Sequence, residues 1–478
     1  MTFGLTNYIV LTAYLIGMIA VGFYFSRKQE DGEMFFLGGR RLPWLVVAMS
    51  MYASLTSAVT YIGLPGMAFA ENISLIIVCI MSPIVAPFIL LLFYPLYHRL
   101  RVTTSYEYIL LRFGPRARHV VAGLFVLARL GWLGTVVYAP AMAMAIVTGI
   151  PLWTCICMMG LLATAYTALG GLAAVVWTDA IQFIILIGGA VWVAVSLIHG
   201  VEGGAGEIMR IAGETGRLQI AEWKINLYAM TGPAVAISFF FQLMQDYGTD
   251  QVTVQRLMAT GSMKKTVKSV VFNAGTDFFI IGLLMFIGLG LFAFFQTSEL
   301  PDTLSPDKVM PYYIIHYLPQ GISGLLITAV FAAAMSSMDS GINSIATVVI
   351  NDFTQGVKNE VRLARMLTVA LGIMATGLAF YVSTIDGILK AFFSFMGMFS
   401  APVLALFLMG VLTRKGNFKG WLVGLGASIA VSIWIQKFTE IHELYYFPFS
   451  FAVSFLIGLI ASRFFQSSET PKELTILK

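Results

Sequence analysis

The sequence is short of charge. Only 11% of its 478 residues are Asp, Glu, Lys or Arg, whereas a soluble domain carries roughly 25%. Hydrophobic residues make up 58% of the chain. Such a chain cannot cover itself with a polar surface, so the composition excludes an ordinary water-soluble fold. It predicts an all-α integral membrane protein that forms one domain, residues 1–478, in a lipid bilayer.

Cysteine and histidine are also scarce, with three and five residues. Cys79, Cys155 and Cys157 lie inside apolar runs, and an odd number with C-x-C spacing fits neither a disulfide framework nor a zinc site. The histidines lie near the ends of these runs or between them, which excludes an intramembrane metalloprotease. A lone intramembrane Asp is compatible with a proteolytic carboxylate pair, but that reading does not explain the interrupted spans described below. No enzyme is predicted.

Apolar runs long enough to cross a bilayer follow one another almost without pause. The first run has no basic residue before it and no small-residue cleavage site after it, so it is expected to be a retained span rather than a signal peptide. About thirteen transmembrane helices are predicted, over 5–25, 44–70, 73–97, 120–148, 152–168, 173–198, 228–258, 267–295, 322–350, 363–382, 387–411, 420–438 and 445–465.

Lys and Arg fall at the ends of these runs, where they set membrane topology rather than bind nucleic acid. If the N-terminus is external, the inner loops carry 22 of these residues and the outer loops 5, while Arg129 and Lys390 lie inside spans. This asymmetry predicts an external N-terminus and an internal C-terminus. The lean loops favour the plasma membrane of a bacterium.

Two of the predicted spans are interrupted. The second contains Gly63, Pro65 and Gly66, and the seventh contains the polar run 246–251 in the middle of apolar sequence. Transporters built from inverted repeats place their sites where two corresponding helices break near the bilayer midplane. Five spans separate the two starting points, which predicts a first repeat over 44–198 and an inverted copy over 228–411. The alternative is that Gly and Pro are common in membrane helices anyway.

The spans at 5–25 and 420–465 are then additions to this pair of repeats: one helix before them and two after them. Among the remaining sequence features, charged residues inside spans are the most informative. Each costs about 2.5 to 3.5 kcal/mol to insert, so each is a functional candidate. These residues are Arg129, Asp179, Asp277 and Asp339, with Asp246 and Asp250 near the second interruption.

Three carboxylates against one guanidinium leave two negative charges uncompensated, which bound cations would neutralise. The ninth span adds a polar face with helical spacing, made of Ser336, Ser340, Asn343, Ser344 and Thr347. Hydroxyl and carbonyl oxygens suit a hard alkali cation. The alternative is that Ser and Asn only hold helices together.

Six segments resemble the sodium/solute symporter family over nearly the whole chain. They are EMFFLGGRRLPW (33–44), SAVTYIGLPG (57–66), TTSYEYILLRFG (103–114), YTALGGLAAVVWTDAIQ (166–182), DQVTVQR (250–256) and AAAMSSMDSGINS (332–344). The resemblance implies the LeuT-type five-plus-five inverted repeat with broken helices. It also implies sodium-coupled symport of a small organic solute by alternating access.

The resemblance also implies ligands for one or two co-transported sodium ions. The first ion is expected between the broken helix and the ninth span, bound by the carbonyls of Ala53, Thr56 and Ala333 and the hydroxyls of Ser336 and Ser337. A second site is implied at Asp179 with Ser336, Asp339 and Ser340, although the sialic acid branch of the family has serine in place of Asp339.

Within the family, VVYAPAMAMAIVTG (136–149) and the segment 103–114 look nearest to the monocarboxylate and multivitamin branch, which favours organic anions. Arg129 lies about where sialic acid transporters place an arginine on the substrate carboxylate. Leu55, Leu75 and Cys79 stand where the sialic acid branch has more polar or aromatic substrate contacts. The expected substrate is a monocarboxylate or sialic-acid-like anion, in a pocket lined by Ser57, Thr60, Arg129, Gln245 and Gln251.

Three alternatives stay open at this point. Arg129 could be paired permanently with Asp277 or another carboxylate as part of the structure. The solute could be a neutral sugar or polyol, in which case Arg129→Gln keeps uptake. A channel or a solute sensor on the same fold is the rival class, and the short polar tail after Arg463 argues against a sensor. The sequence does not fix the oligomeric state.

Overall fold

The computed structural model describes residues 4–26, 37–301, 304–354, 360–385, 388–465 and 472–476. Within them, every regular element is a helix. The all-α prediction is therefore confirmed. Four of the residues counted for topology, Arg27, Lys28, Lys358 and Lys478, lie outside the described ranges.

The first predicted repeat contains a broken helix, but the break lies at Thr56 and Ser57, before Gly63, Pro65 and Gly66, which lie inside continuous helix. Helix α2 ends at Leu55, Thr56 and Ser57 adopt extended backbone, and α3 begins at Ala58, with a bend of 55° between the two arms. The helices up to the end of this repeat are α1 (Leu5–Ser26), α2 (Trp44–Leu55), α3 (Ala58–Ala70), α4 (Ile77–Leu92), α5 (Tyr94–Leu100), α6 (Tyr106–Phe113), α7 (Pro115–Thr148) and α8 (Leu152–Gly200).

The second repeat opens with a second break. Helix α10 ends at Gly248, Asp250 is extended, and its carboxylate accepts the backbone N–H of Val252 as the N-cap of α11. The remaining helices are α9 (Gly204–Glu214), α10 (Gly232–Gly248), α11 (Gln251–Met258), α12 (Met263–Phe294), α13 (Pro306–His316), α14 (Ile322–Phe353), α15 (Glu360–Val382), α16 (Ile388–Phe395), α17 (Ala401–Leu412), α18 (Phe418–Phe438) and α19 (Tyr446–Ser462).

The number of spans agrees with the prediction. Among the described residues, nine helices are long and apolar enough to cross a membrane, and the bent pair α2–α3 makes ten. Two shorter apolar helices, Leu5–Met18 and Leu152–Ala165, and the broken pair α10–α11 occupy the three other predicted spans. The fold class of about thirteen membrane helices is therefore confirmed.

Two details differ from the prediction. The fifth and sixth predicted spans, 152–168 and 173–198, were expected to be separated, but the helical backbone of α8 runs through both for 49 residues. Gly170 and Gly171 are weak helix formers, but the Leu and Ala around them favour helix on both sides. In addition, α6, α9 and α13 are short helices in segments interpreted as loops.

The ninth span is the centre of the bundle. Protein buries 89% of the most apolar 18-residue window of α14 but only 33% of that of α15. Helix α14 packs against α1, α2, α7 and α8. Its polar face is therefore turned toward other helices rather than toward lipid, and it lies against the first broken helix.

Candidate functional site

A cavity of about 170 Å³ begins at the first helix break. Thr56, Ser57 and Thr60 contribute its polar wall at the break, and Trp132 from α7 contributes an aromatic wall. Further lining residues come from α10, α12, α16 and the segment before α19: Phe239, Gln242, Leu243, Asp246, Tyr247, Asp277, Ile281, Phe392, Phe393, His442, Glu443 and Leu444. The cavity is apolar with a few polar groups, as is usual for small-molecule sites.

The residues expected to bind the first sodium ion lie at one junction. The Ser337 hydroxyl on α14 donates to the Ser54 carbonyl on α2 at 3.1 Å, just before the break. All five expected residues are buried: Ala53, Thr56, Ala333, Ser336 and Ser337. A broken helix therefore meets a row of hydroxyls in a site without water-exposed oxygen atoms, a composition that suits a desolvated alkali cation.

The carboxylate of Asp179, expected in the second sodium site, is already paired with an arginine. The Asp179 Oδ2 atom lies 3.1 Å from a terminal nitrogen of Arg256, and both side chains are fully buried. The same oxygen accepts hydrogen bonds from Ser50 at 2.6 Å, Ser54 at 3.1 Å and Ser340 at 3.4 Å. Arg256 also donates to Ser50 at 2.9 Å and to Ser340.

Arg256 is a correction to the sequence interpretation. It was counted among the basic residues of an inner loop, but it lies in the second turn of α11 and is fully buried. The quoted DQVTVQR segment carries it, and its spacing of six residues from Asp250 puts it on the short helix after the break. Arg118, also counted as a loop residue, is buried in an ion pair with Asp352.

Two polar atoms beside this ion pair have no partner. Within the described residues, neither Asp179 Oδ1 nor the neighbouring Ser336 hydroxyl makes a well-formed hydrogen bond. Asp339 lies next to them, and its Oδ1 accepts from Ser340 at 3.4 Å. Buried oxygen atoms without donors are costly unless a cation or proton satisfies them, so this donor set fits a second cation.

Arg129 pairs with a carboxylate at the second break and does not line the cavity. Its Nε and one terminal nitrogen lie 2.9 and 2.6 Å from Asp250 Oδ2, and that terminal nitrogen lies 3.7 Å from Asp246 Oδ1. The guanidinium also stacks on Trp132, with its carbon 4.5 Å from the ring centroid. In the structure, the carboxylate partner of Arg129 is Asp250, with Asp246 farther away, rather than Asp277.

The two glutamines expected in the solute pocket also serve the second break. Gln245 donates to Asp250 Oδ2 at 3.1 Å. Gln251 accepts from the Ser105 N–H at 2.9 Å and donates to the Thr103 carbonyl at 3.0 Å. Of the five expected pocket residues, the structure thus brings Ser57 and Thr60 to the cavity wall, while Arg129, Gln245 and Gln251 lie behind it.

The carbonyls released by the second break are satisfied by hydroxyls from the first repeat. Tyr94 donates to the Tyr247 carbonyl at 2.7 Å, Tyr97 to Gly248 at 2.8 Å, and Ser105 to Thr249 at 2.9 Å. No motif in the sequence identified these hydroxyls. Only the contact between α5, the start of α6 and the break reveals their role.

These features define a class: a helical membrane transporter with two broken helices, a cavity at one break and a buried polar environment that suits a cation next to it. The sodium:solute symporter family model matches residues 35–427. The chain belongs to this family, so it is a sodium-coupled transporter of small organic solutes and not an enzyme.

Relatives cover nearly the whole chain. A sodium/sialic acid symporter of Aliivibrio fischeri is 30% identical over 99% of this chain and 96% of its own. Sodium-coupled monocarboxylate transporter 2 of Mus musculus is 31% identical over 90% of this chain and 72% of its own. The solved substrate-bound, outward-open state of a Na+-coupled sialic acid symporter has a TM-score of 0.91 at 28% identity, covering 98% of this chain and 100% of that chain.

Proposed function

We propose that the protein carries a small organic anion, a monocarboxylate or a sialic-acid-like acid, into the cell together with sodium. The observation that carries the proposal is the junction of the broken helix with α14, where Ser337 contacts Ser54. Thr56 belongs both to the expected sodium site and to the cavity wall. A cation bound there fixes the break and so completes the wall formed by Ser57 and Thr60.

Coupling follows from this shared wall. Sodium must bind more tightly to the state whose cavity accepts the solute, since a ligand shifts an equilibrium only by its difference in affinity for the two states. At about 100 mV, inside negative, each entering positive charge releases roughly 2.3 kcal/mol. One sodium with a monoanion is electroneutral, whereas two sodium ions make transport electrogenic.

Two observations support a second sodium ion. Asp179 Oδ1 and the Ser336 hydroxyl form a buried set of acceptors beside Asp339. The related sialic acid symporter structure reveals a novel Na+ site in that protein.

The anion assignment has support from two sources. Relatives named for sialic acid and for monocarboxylates both carry organic anions. In this chain, the Arg129 guanidinium lies 3.7 Å from Asp246 and stacks on Trp132, and both of these residues line the cavity. Arg129 lies directly behind these two lining side chains, so its positive charge favours a carboxylate bound beside them. A neutral sugar or polyol is the second candidate, because Asp246 and Asp277 accept hydroxyl hydrogen bonds and Trp132 offers a flat apolar face.

The expected setting is a bacterial plasma membrane with the N-terminus outside and the C-terminus inside. The distribution of Lys and Arg supports this orientation, and moving Arg118 and Arg256 out of the loop count leaves 20 inner against 5 outer residues. The cavity-lining residues His442, Glu443 and Leu444 then lie on the outer side.

The test is uptake by the protein reconstituted in liposomes, with a panel of small carboxylates and sugars, in sodium and in potassium. We expect sodium-dependent uptake of a carboxylate that is lost in Arg129→Gln and reduced in Ser337→Ala. Arg210→Gln is the matched control, because this arginine pairs with Glu207 and Glu214 on the exposed surface of α9. Sugar uptake that survives Arg129→Gln rules out the anion, and uptake indifferent to sodium rules out the mechanism.

A further inference from the structure

A second cavity, of about 400 Å³, shares no described lining residue with the cavity at the first break. Arg40, His98, Arg101 and Gly261 line it, and neither Asp nor Glu occurs among these described lining residues. They come from the turn before α2, the end of α5 and the link between α11 and α12, which the distribution of Lys and Arg assigns to the inner side of the membrane. A basic cavity attracts anions with several acceptor oxygens.

The backbone is strained at both arginines that line this second cavity. Arg40 and Arg101 have φ angles of +55° and +51°, and they are the only non-glycine residues with positive φ in the described part of the chain. This left-handed conformation is unfavourable for a residue that has a Cβ atom, and such strain is found mainly at functional sites. Arginine, at positions where glycine or asparagine would fit the backbone better, favours a role of the side chain in binding.

Contacts between the three segments fix the wall of the second cavity. The Arg40 guanidinium donates to the Arg101 carbonyl at 3.0 Å. His98 and Thr266, in the first turn of α12, are joined by a hydrogen bond of 2.9 Å. Gly261 lies so close to Arg40 that an added Cβ would collide with the Arg40 carbonyl. The position of each basic side chain therefore depends on the packing of the other two segments.

The surroundings of the second cavity are typical of a membrane interface. Helix α12 begins two residues after Gly261, and its exposed positions Lys264, Lys268 and Val271 lie on one face of the helix. Lys268 also lies over the Trp44 ring, with its nitrogen 5.5 Å from the centroid. Lysine and tryptophan at the end of an apolar helix face are typical of the layer that contains lipid headgroups. Basic pockets on the inner side of membrane proteins bind anionic headgroups.

We propose that the second cavity binds a phosphate group, with the Arg40 and Arg101 side chains as its donors. Guanidinium suits phosphate because its N–H groups pair with two oxygens at once. Lys264 and Lys268 on the exposed face of α12 favour the headgroup of an anionic phospholipid as the source, and free phosphate is the other source. The bound group holds the segment before α2 against the turn after α5, so it stabilises the state in which these segments are packed together.

The test follows thermal unfolding of the purified protein, stripped of lipid in a neutral detergent, as a probe is added at constant sodium and ionic strength. The probes are dioleoyl phosphatidylglycerol, dioleoyl phosphatidylcholine and inorganic phosphate. We expect phosphatidylglycerol to raise the unfolding temperature, because a ligand of the folded state stabilises it, and phosphatidylcholine to have a much smaller effect. In Arg40→Gln and in Arg101→Asn, the phosphatidylglycerol concentration for half of this rise should increase about tenfold, because a charge-assisted hydrogen bond is lost.

Arg101→Asn separates binding from structure, because asparagine accepts positive φ more readily than arginine does. If Arg101 only terminated α5, this variant would be at least as stable as the unchanged protein and would respond fully to the lipid. Arg99→Gln is the matched control. It removes the same charge from an exposed position on α5, two residues away, that is not part of the cavity lining.

The outcomes distinguish the two sources of the phosphate group. A rise with phosphatidylglycerol supports a lipid headgroup, and a rise with inorganic phosphate that needs Arg101 supports free phosphate in the same site. No rise with either probe, an equal rise with phosphatidylcholine, or an equal loss in Arg99→Gln and Arg101→Asn overturns the proposal. These measurements do not involve the transported solute, so their failure leaves the proposed function standing.

Discussion

The two helix breaks occupy corresponding places in the two repeats, but they are completed in different ways. At the second break, side-chain hydroxyls of Tyr94, Tyr97 and Ser105 occupy three successive carbonyls. At the first break, Thr56 and Ser57 line the cavity, and the nearby Ser336 hydroxyl on α14 has no well-formed partner among the described residues.

The carboxylates near the two breaks differ in the same way: the one at the second break has more protein partners than the one at the first. Asp250, which caps α11 at the second break, accepts from Arg129, Gln245 and the Val252 N–H. Among the described residues, Asp179, which lies beside the first broken helix, has one carboxylate oxygen that makes no well-formed hydrogen bond. One break is thus finished by the protein itself, whereas the other leaves polar atoms for ligands. An inverted repeat produces two broken helices, and the side chains around each break determine which of them binds the solute and sodium.

The largest effect on stability is expected when the ion pair at the second break is removed. Asp250→Ala leaves the buried Arg129 guanidinium without its main partner and removes the cap of α11. We expect the free energy of unfolding to fall by about 3 to 5 kcal/mol, because an unpaired buried charge is strongly destabilising. The loss is measured as the decrease in thermal unfolding temperature of the purified protein in detergent.

The control for this change removes both charges together. Asp250→Asn combined with Arg129→Gln should recover most of the stability, because two neutral amides leave no uncompensated charge. A fall of less than about 1 kcal/mol in Asp250→Ala would show that Asp246, 3.7 Å from Arg129, replaces Asp250. In that case, the second break is not held by this ion pair.

An intermediate effect, on the affinity for sodium rather than on stability, is expected at the first break. Ser336→Ala and Ser337→Ala each remove an expected ligand, so the sodium concentration for half-maximal uptake should rise about tenfold, equivalent to about 1.4 kcal/mol. Stability without sodium should change little in Ser336→Ala, since that hydroxyl has no well-formed partner to lose.

Ser323→Ala is the matched control on the same helix. The Ser323 hydroxyl is buried and donates to the carbonyls of Leu318 and Pro319, away from the break. Its removal should leave the sodium dependence unchanged. An equal shift in Ser323→Ala and Ser336→Ala would assign the effect to the general stability of α14 and not to a cation site.

Much of the fold is predictable from the sequence because lipid imposes simple requirements. Apolar runs of fixed length give the spans, and the consecutive polar residues give the break at Asp250. The first break is less well located, because it falls at Thr56 and Ser57 while Gly63, Pro65 and Gly66 lie inside α3. A second exception is α8, where helical backbone continues through Gly170 and Gly171, between the predicted spans 152–168 and 173–198. Two glycines lower helix propensity by about 1 kcal/mol each, which neighbouring Leu and Ala and tertiary packing outweigh.

The site is less predictable, because the side chains that pair with one another come from helices far apart in the sequence. The intramembrane charges were found as residues, but their pairing was not: Arg129 binds Asp250, and Asp179 binds Arg256, which was interpreted as a loop residue. Spacing along a helix identifies a polar face but not what lies opposite it. The cavity-lining residues Gln242 and Asp277 come together only once α10 and α12 are packed together.

The smallest effect is expected when the hydroxyls that donate to the carbonyls of the second break are removed. This change should lower stability without changing sodium binding. Tyr94→Phe and Tyr97→Phe each leave one carbonyl without a donor, which should lower the free energy of unfolding by about 1 kcal/mol. The sodium concentration for half-maximal uptake should stay unchanged. Tyr317→Phe is the control: its hydroxyl donates to the exposed Glu299 carbonyl, where water replaces it, so no loss is expected. If Tyr94→Phe instead shifts the sodium dependence as much as Ser336→Ala does, the two breaks act as one unit, and the division between a structural break and a ligand-binding break fails.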